Sequence, residues 1–340
     1  MKTFACLLLA GTPLFSAASA LSPPSGLTAC AGVSDDAQRL ACYDRLAGRS
    51  SSLPAPTENA APETATAESK PAQAASDSRL SRDWELAPQD KHGRFAFRPH
   101  NDNYILLANY TFAPNPRPFA EYTSLAPPGS KLSHTELDFQ LSFKLKLLQE
   151  IAGTPADLWF GYTQQSFWQA YNSKASSPFR ETDYQPEVMA VLPADYHFLG
   201  LHGRFVNLGF VHQSNGQSSS LSRSWNRFYL QTGLERGNFT LLARAWKRVN
   251  ENLSDDDNPD IVDFMGYGDL RAIYRRNGSR FSMLLRQNFR TDRGGVQLGW
   301  AFPLSKGVKG YVQLFSGYGQ SLIDYNYSQK SIGFGVLIGD

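Results

Sequence analysis

The sequence predicts an all-β protein: a twelve-stranded antiparallel transmembrane β-barrel, with a short N-terminal disulfide-clipped segment and a flexible linker ahead of it. Three observations predict this class. Apolar residues recur at every second position over long runs, as in Leu137, Phe139, Leu141, Phe143, Leu145 and Leu147. A helix would space such residues by three and four, so the period is that of a strand. The interleaved positions carry polar groups and charges, Asp138, Gln140, Ser142, Lys144 and Lys146. One face is greasy over a membrane-sized span and the other is polar, the pattern outer-membrane strands require. Finally, no apolar run of about 18 residues follows the first twenty, which leaves strands rather than helices to cross a bilayer. The mean hydropathy of −0.37 does not oppose this, because alternation hides the apolar residues of a barrel.

The elements follow in chain order. Residues 1–20 read as a secretory signal: Lys2, an apolar stretch from Phe4 to Phe15, then Ala18-Ser19-Ala20 before the cleavage point. Cys6 leaves with the signal, so Cys30 and Cys42 remain, and an even pair in an exported chain favours a disulfide. Residues 21–48 form this periplasmic segment, with a short helix from Ser34, as N-cap, to Leu46. Residues 49–80 are rich in Ser, Ala, Pro and Thr and cannot bury enough surface to offset ordering entropy, so they read as a tether. The barrel occupies 81–340, with strands expected at 103–113, 134–150, 155–170, 184–197, 201–215, 222–236, 237–250, 260–276, 279–291, 293–305, 308–320 and 330–339. Twelve is even, as a closed single-chain barrel needs. Tyr104, Tyr110, Trp159, Trp168, Trp300 and Tyr311 lie near strand ends, where membrane girdles sit.

One hairpin carries chemistry. If 204–214 and 223–234 pair about Ser219, His212 and Asn226 stand directly opposite each other. Opposed Cβ atoms lie about 4.5–5.5 Å apart, close enough for the amide to hold the imidazole. Ser214 follows His212 on the same face, about 7 Å along the strand. That face is the apolar one, shared with Val206, Leu208 and Phe210 on one strand and with Phe228 and Leu230 on the other. In a membrane barrel it faces lipid, so a serine nucleophile there would meet lipid as substrate. His92, His100, His134, His197 and His202 have no such partners and read as structural. The net charge of +2 gives no argument for nucleic acid.

Several segments together resemble the outer membrane phospholipase A family. They are Ser176-Ser177-Pro178-Phe179-Arg180-Glu181-Thr182, His212-x-Ser214-Asn215-Gly216, Ser222-Arg223-Ser224-Trp225-Asn226-Arg227, Asp257-Asn258-Pro259-Asp260, Met265-Gly266-Tyr267 and Gly317 to Tyr325. The likeness runs from about residue 95 to near the C-terminus. It implies a calcium-dependent enzyme of the Gram-negative outer membrane that hydrolyses sn-1 and sn-2 acyl esters of glycerophospholipids and lysophospholipids. It further implies a monomer at rest and a homodimer when active. By resemblance, calcium in the dimer is held by the Ser222 side chain, the Gln217 carbonyl and the Ser176 carbonyl of the partner subunit, and Asp257 belongs to a second site used by the monomer. Gln164, on the face of Leu158, Phe160 and Tyr162, resembles a polar residue of the family's dimer interface; facing lipid, its amide needs a partner. Two departures stand out. Gln217 replaces the family's arginine, which a backbone-carbonyl ligand tolerates, and the sequence ends Ile338-Gly339-Asp340 without a terminal aromatic.

In the chemistry so implied, Ser214 attacks the ester carbonyl, His212 takes and returns its proton, and Asn226 orients the imidazole. A neutral amide stabilises imidazolium less than a carboxylate, so the Gly216 N–H and calcium are the expected oxyanion stabilisers. Taken by itself, the acidic run Asp255-Asp256-Asp257 reads as a solvated turn. The competing functions are a passive porin or structural barrel, which alternation alone would satisfy, and a lipopolysaccharide deacylase. The porin reading leaves costly polar groups on the lipid face unexplained.

Overall fold

The computed structural model describes residues 29–47, 77–119, 131–252 and 256–339. The signal expectation at 1–20 and the linker expectation over 49–76 fall outside them. The N-terminal segment holds helix α1 (Asp36–Leu46) and a Cys30–Cys42 disulfide with Cα atoms 5.5 Å apart. The cap is Asp35 rather than the expected Ser34: its carboxylate accepts the Gln38 N–H at 2.9 Å. The helix starts one residue later, and aspartate caps as well as serine does.

The barrel begins with a two-residue bridge, β1 (Arg98–Pro99), followed by β2 (Asn103–Thr111), β3 (Thr135–Leu148), β4 (Asp157–Trp168) and β5 (Phe179–Phe198). Next come β6 (Leu201–Ser214), β7 (Ser224–Arg236), β8 (Phe239–Arg248) and β9 (Gly268–Arg276). β10 (Ser279–Asn288), β11 (Arg293–Ser305), β12 (Val308–Gly317) and β13 (Gln329–Ile338) complete it. Each strand from β2 to β13 pairs antiparallel with its sequence neighbours, and β13 pairs with β2, so the sheet closes. Closure leaves no unpaired edge, the condition for strands in lipid. Among the described residues no helix is long and apolar enough to cross a membrane.

Two strand expectations need correction. β5 starts at Phe179 rather than 184, because Arg180, Glu181 and Asp183 point inward and find partners there. The expected strand over 260–276 is β9 only from Gly268; Ile261–Met265 is a short helix, and Ile261, Phe264 and Met265 bury one face at helical spacing. The linker expectation also ran too far. Ser78 caps helix α2 (Arg79–Trp84), and both Ser78 and Leu80 are buried.

Burial is inverted relative to a soluble protein. Asp138 and Lys146 are 0% and 1% exposed inside the barrel, whereas Leu208 and Leu230 on its outside are 60% and 56% exposed. Lys146 reaches Glu85 at 3.0 Å and Asp157 at 2.7 Å, the pairing buried charges need. Inside, Trp84 of α2 packs on Trp159 and Phe205, with the Lys144 ammonium 3.4 Å from its ring centre. The apolar column continues through Met189, Val211, Trp225 and Trp246 to Ile261, Phe264 and Tyr325. These side chains fill that stretch of the bore.

The two ends differ. Tight turns close one end, such as Asn277-Gly278 between β9 and β10, where both residues have positive φ. Longer connections at the other end carry residues 169–178, 215–223, 249–267 and 318–328. Outer-membrane barrels turn that end outward.

Candidate active site

The β6–β7 hairpin has the predicted register: His212 pairs with Asn226 and Ser214 with Ser224. His212 Nδ1 and Asn226 Oδ1 are 2.9 Å apart. With Nδ1 as the donor, Nε2 carries the lone pair that a base requires. Ser214 follows on the same outward face. Beneath the pair, the Phe210 and Phe228 rings lie 5.0 Å apart and extend the apolar surface towards the barrel's waist. The interleaved residues point inward and fix the hairpin from behind. Gln213 Oε1 accepts from Trp225 Nε1 at 3.0 Å and from Arg227 Nη2 at 2.9 Å, and the Arg227 guanidinium stacks 3.7 Å from the Trp225 ring centre.

The loop after Ser214 is organised by Asn215, which is buried. Its Nδ2 donates to the Leu221 carbonyl at 2.8 Å and to Glu181 Oε1 at 3.1 Å, while its Oδ1 accepts the Arg223 N–H at 2.9 Å and the Gln217 N–H at 3.3 Å. The loop is therefore tied both across itself and to β5. Gly216 has φ +63°, and a Cβ there would stand 3.2 Å from the Tyr184 ring. Glycine satisfies both the left-handed backbone and the close approach.

The remaining residues separate into two groups. Ser222 Oγ donates to Asp257 Oδ2 at 2.6 Å, so these two are brought together beside the hairpin. In the acidic run, Asp255 lies outside the described residues and Asp257 is exposed, while Asp256 is held in an ion pair. Arg248 Nη2 binds Asp256 at 2.6 Å, and the buried Asn258 accepts the Ser224 N–H at 2.9 Å. Ser176 sits on a different loop, exposed, with φ +61°. Gln164 faces outward on β4, accepting from Tyr162 Oη at 3.0 Å and donating to Ser166 Oγ at 3.3 Å. It pairs in register with Tyr184, which in turn pairs with Ser214, so Gln164 lies level with the serine two strands away.

Four residues that support the hairpin were not singled out by sequence reasoning: Glu181, Asn215, Asn258 and Glu251, the last of which accepts from Asn226 Nδ2 at 3.2 Å. The sequence offers Asn215, Glu181 and Asn258 only as parts of the segments that carry the resemblance. Glu251 had no signal at all in the polar run Val249-Asn250-Glu251-Asn252. Of the histidines read as structural, His100 pairs with Glu187 at 2.8 Å inside the barrel and His202 with Asp195 at 2.6 Å.

Among the described residues no three His, Cys, Asp or Glu side chains stand together as a metal site. A cation here would need hydroxyl and carbonyl oxygens besides Asp257, which suits a hard ion such as calcium.

Comparison with known proteins places this geometry among relatives. A family model described as phospholipase A1 matches residues 80–338. A Neisseria meningitidis protein, provisionally named a phospholipase A1, is 38% identical over 92% of this chain and 90% of its own. The structure of outer membrane phospholipase A from Escherichia coli superposes with a TM-score of 0.67 at 38% identity, over 74% of this chain and 94% of that one. The outer membrane phospholipase of Salmonella typhi, solved as a dimer with bound calcium, matches with the same TM-score and identity, over 75% of this chain and 95% of its own.

Proposed function

The chain belongs to the phospholipase A1 family and is an enzyme of the Gram-negative outer membrane, and from that premise we propose that Ser214, His212 and Asn226 form its hydrolytic triad. The observation that carries this reading is the 2.9 Å contact between His212 and Asn226, on the lipid-facing side of a hairpin whose next outward residue is Ser214. His212 Nε2 accepts the Ser214 proton as the hydroxyl adds to the acyl carbonyl, then returns it to the departing glycerol oxygen. Asn226 holds the ring in the tautomer that leaves Nε2 free. Water repeats the sequence to release the fatty acid. The substrates are the acyl esters of glycerophospholipids, which reach the site through the membrane rather than from solution.

The Ser222 hydroxyl and the Gln217 carbonyl, with the Ser176 carbonyl of a partner subunit, suit calcium in the dimer, and Asp257 suits a second site used by the monomer. The 2.6 Å Ser222–Asp257 contact sets these two sites side by side, both furnished with hard oxygen donors. Bound calcium supplies positive charge against the developing oxyanion, alongside the Gly216 N–H. The Salmonella typhi relative is a dimer with calcium, and the same assembly fits a chain whose outward Gln164 lies level with Ser214.

Purified Ser214→Ala and His212→Ala proteins should lose phospholipid hydrolysis and keep the heat-dependent gel mobility of a folded barrel. Normal turnover by either would remove the triad. For the dimer, protein covalently linked through cysteines near Gln164 should be active in micelles at dilutions where the unlinked protein is idle. Equal specific activity of the two would remove the dimerisation switch.

A further inference from the structure

We propose that Glu251 is a positioning residue that acts through Asn226; the proposal rests on the triad reading and extends it by one group. A primary amide can turn either end towards an imidazole. Only the oxygen end keeps Nδ1 protonated and Nε2 free, so something must choose the end. Glu251 Oε1 lies 3.2 Å from Asn226 Nδ2, on the side away from the 2.9 Å contact between Asn226 Oδ1 and His212 Nδ1. An ionised carboxylate only accepts, so the Asn226 NH2 must face it and the amide oxygen must face His212.

The backbone delivers Glu251 to this place. The Val249 N–H donates to the Asn226 carbonyl at 2.8 Å, which carries the β8 pairing one residue past the strand and sets the following chain beside Asn226. Arg248, the last residue of β8, is tied to Asp256 and to the Asn258 carbonyl, fixing the two ends of the loop that contains Glu251.

The arrangement also has an electrostatic result. In a Ser-His-Asp triad the carboxylate touches the imidazole directly and stabilises its protonated form. Here the amide stands between them. Its dipole points the same way as the field of Glu251, so part of the carboxylate's effect reaches His212 through Asn226 as the imidazolium forms. Besides Glu251, the titratable groups turned to this side are Tyr184 on β5, opposite Ser214; Lys247 on β8, opposite Phe228; and Asp257, held by Ser222. All three are unchanged in the variants below.

The test uses full-length protein in mixed micelles at saturating calcium, with Ser214→Ala and Asn226→Ala as references. Glu251→Ala should lower kcat roughly tenfold with KM unchanged, the scale of one hydrogen bond to a charged group. Glu251→Gln can present a carbonyl to Asn226 Nδ2 but carries no charge, and should recover about half of that loss on a logarithmic scale. Removing a negative charge near His212 favours the neutral ring. The acidic limb of kcat/KM should therefore move to lower pH in both variants, which a merely structural loss would not do. In the Asn226→Ala background, Glu251→Ala should have no further effect on kcat. Wild-type kcat and an unshifted acidic limb in Glu251→Ala would overturn the proposal while an inactive Ser214→Ala left the triad standing. An additive loss in the double variant would also overturn it. An active Ser214→Ala would instead remove the triad itself.

Discussion

Two histidines of this barrel are held by hydrogen bonds of nearly equal length, one on each side of the same wall. His100 is half-buried inside the bore, 2.8 Å from the Glu187 carboxylate, with Trp84 edge-on at 5.9 Å. His212 lies outside, 2.9 Å from the Asn226 amide, above Phe210 and Phe228. By local chemistry His100 has the better partner, since a carboxylate stabilises imidazolium more than an amide does. It faces the bore rather than lipid, and Glu187 is also claimed by the Tyr229 hydroxyl. His212 has a weaker orienting partner but stands where a phospholipid can reach it, with Ser214 on its own face. On the proposed triad, the side of the sheet a residue faces decides its use more than the strength of its hydrogen bond. The interior network serves to pair charges that the bore has removed from water, and the outer one is left open.

The two histidines should respond oppositely to substitution. His212→Ala should cost activity by about 10,000-fold with little change in the stability of the barrel, as loss of a triad base does. His100→Ala should leave activity within about twofold while lowering the denaturation midpoint, because Glu187 loses one of its buried partners, an effect of about 1–3 kcal/mol. Turnover assays and urea titrations of the two variants in one detergent check both halves. A large loss of activity in His100→Ala, with the fold intact, would break the comparison.

Much of the outer region was legible in the sequence because its signal is local. Period-two alternation fixed the faces of β3 and β6, and equal distances from Ser219 fixed the pairing of His212 with Asn226. The interior was less legible. Arg180, Glu181 and Asp183 looked like loop, because a charge in a strand makes sense only once its partner is known. Arg180 meets Glu136 on β3 and Asp324 beyond β12, each at 2.6 Å. Ile261 to Met265 read as strand because five apolar-rich residues cannot establish a period. Glu251 and Asn215 were invisible as supports because their roles depend on how loops dock, which no spacing encodes. The expectations for Gln164 and Ser222 rest on resemblance alone.

Smaller effects sharpen the outer half of the comparison. Asn226→Ala should reduce kcat by about 100-fold, less than loss of the base, because it releases the imidazole's orientation and leaves nucleophile and base in place. A loss equal to that of His212→Ala would mean that Asn226 does more than orient. Ser222→Ala should raise the calcium concentration for half-maximal activity about tenfold, with maximal rate largely kept, since one oxygen donor of several is lost. An unchanged calcium titration would place the ion elsewhere.

The most direct test of the central claim is covalent. An alkyl fluorophosphonate, added to wild-type protein in micelles with calcium and followed by peptide mass mapping, reports which serine is nucleophilic. The account predicts one adduct, on Ser214, lost in His212→Ala and absent from Ser214→Ala. Stoichiometric labelling of any other serine, or undiminished labelling of the Ser214→Ala protein, would contradict it.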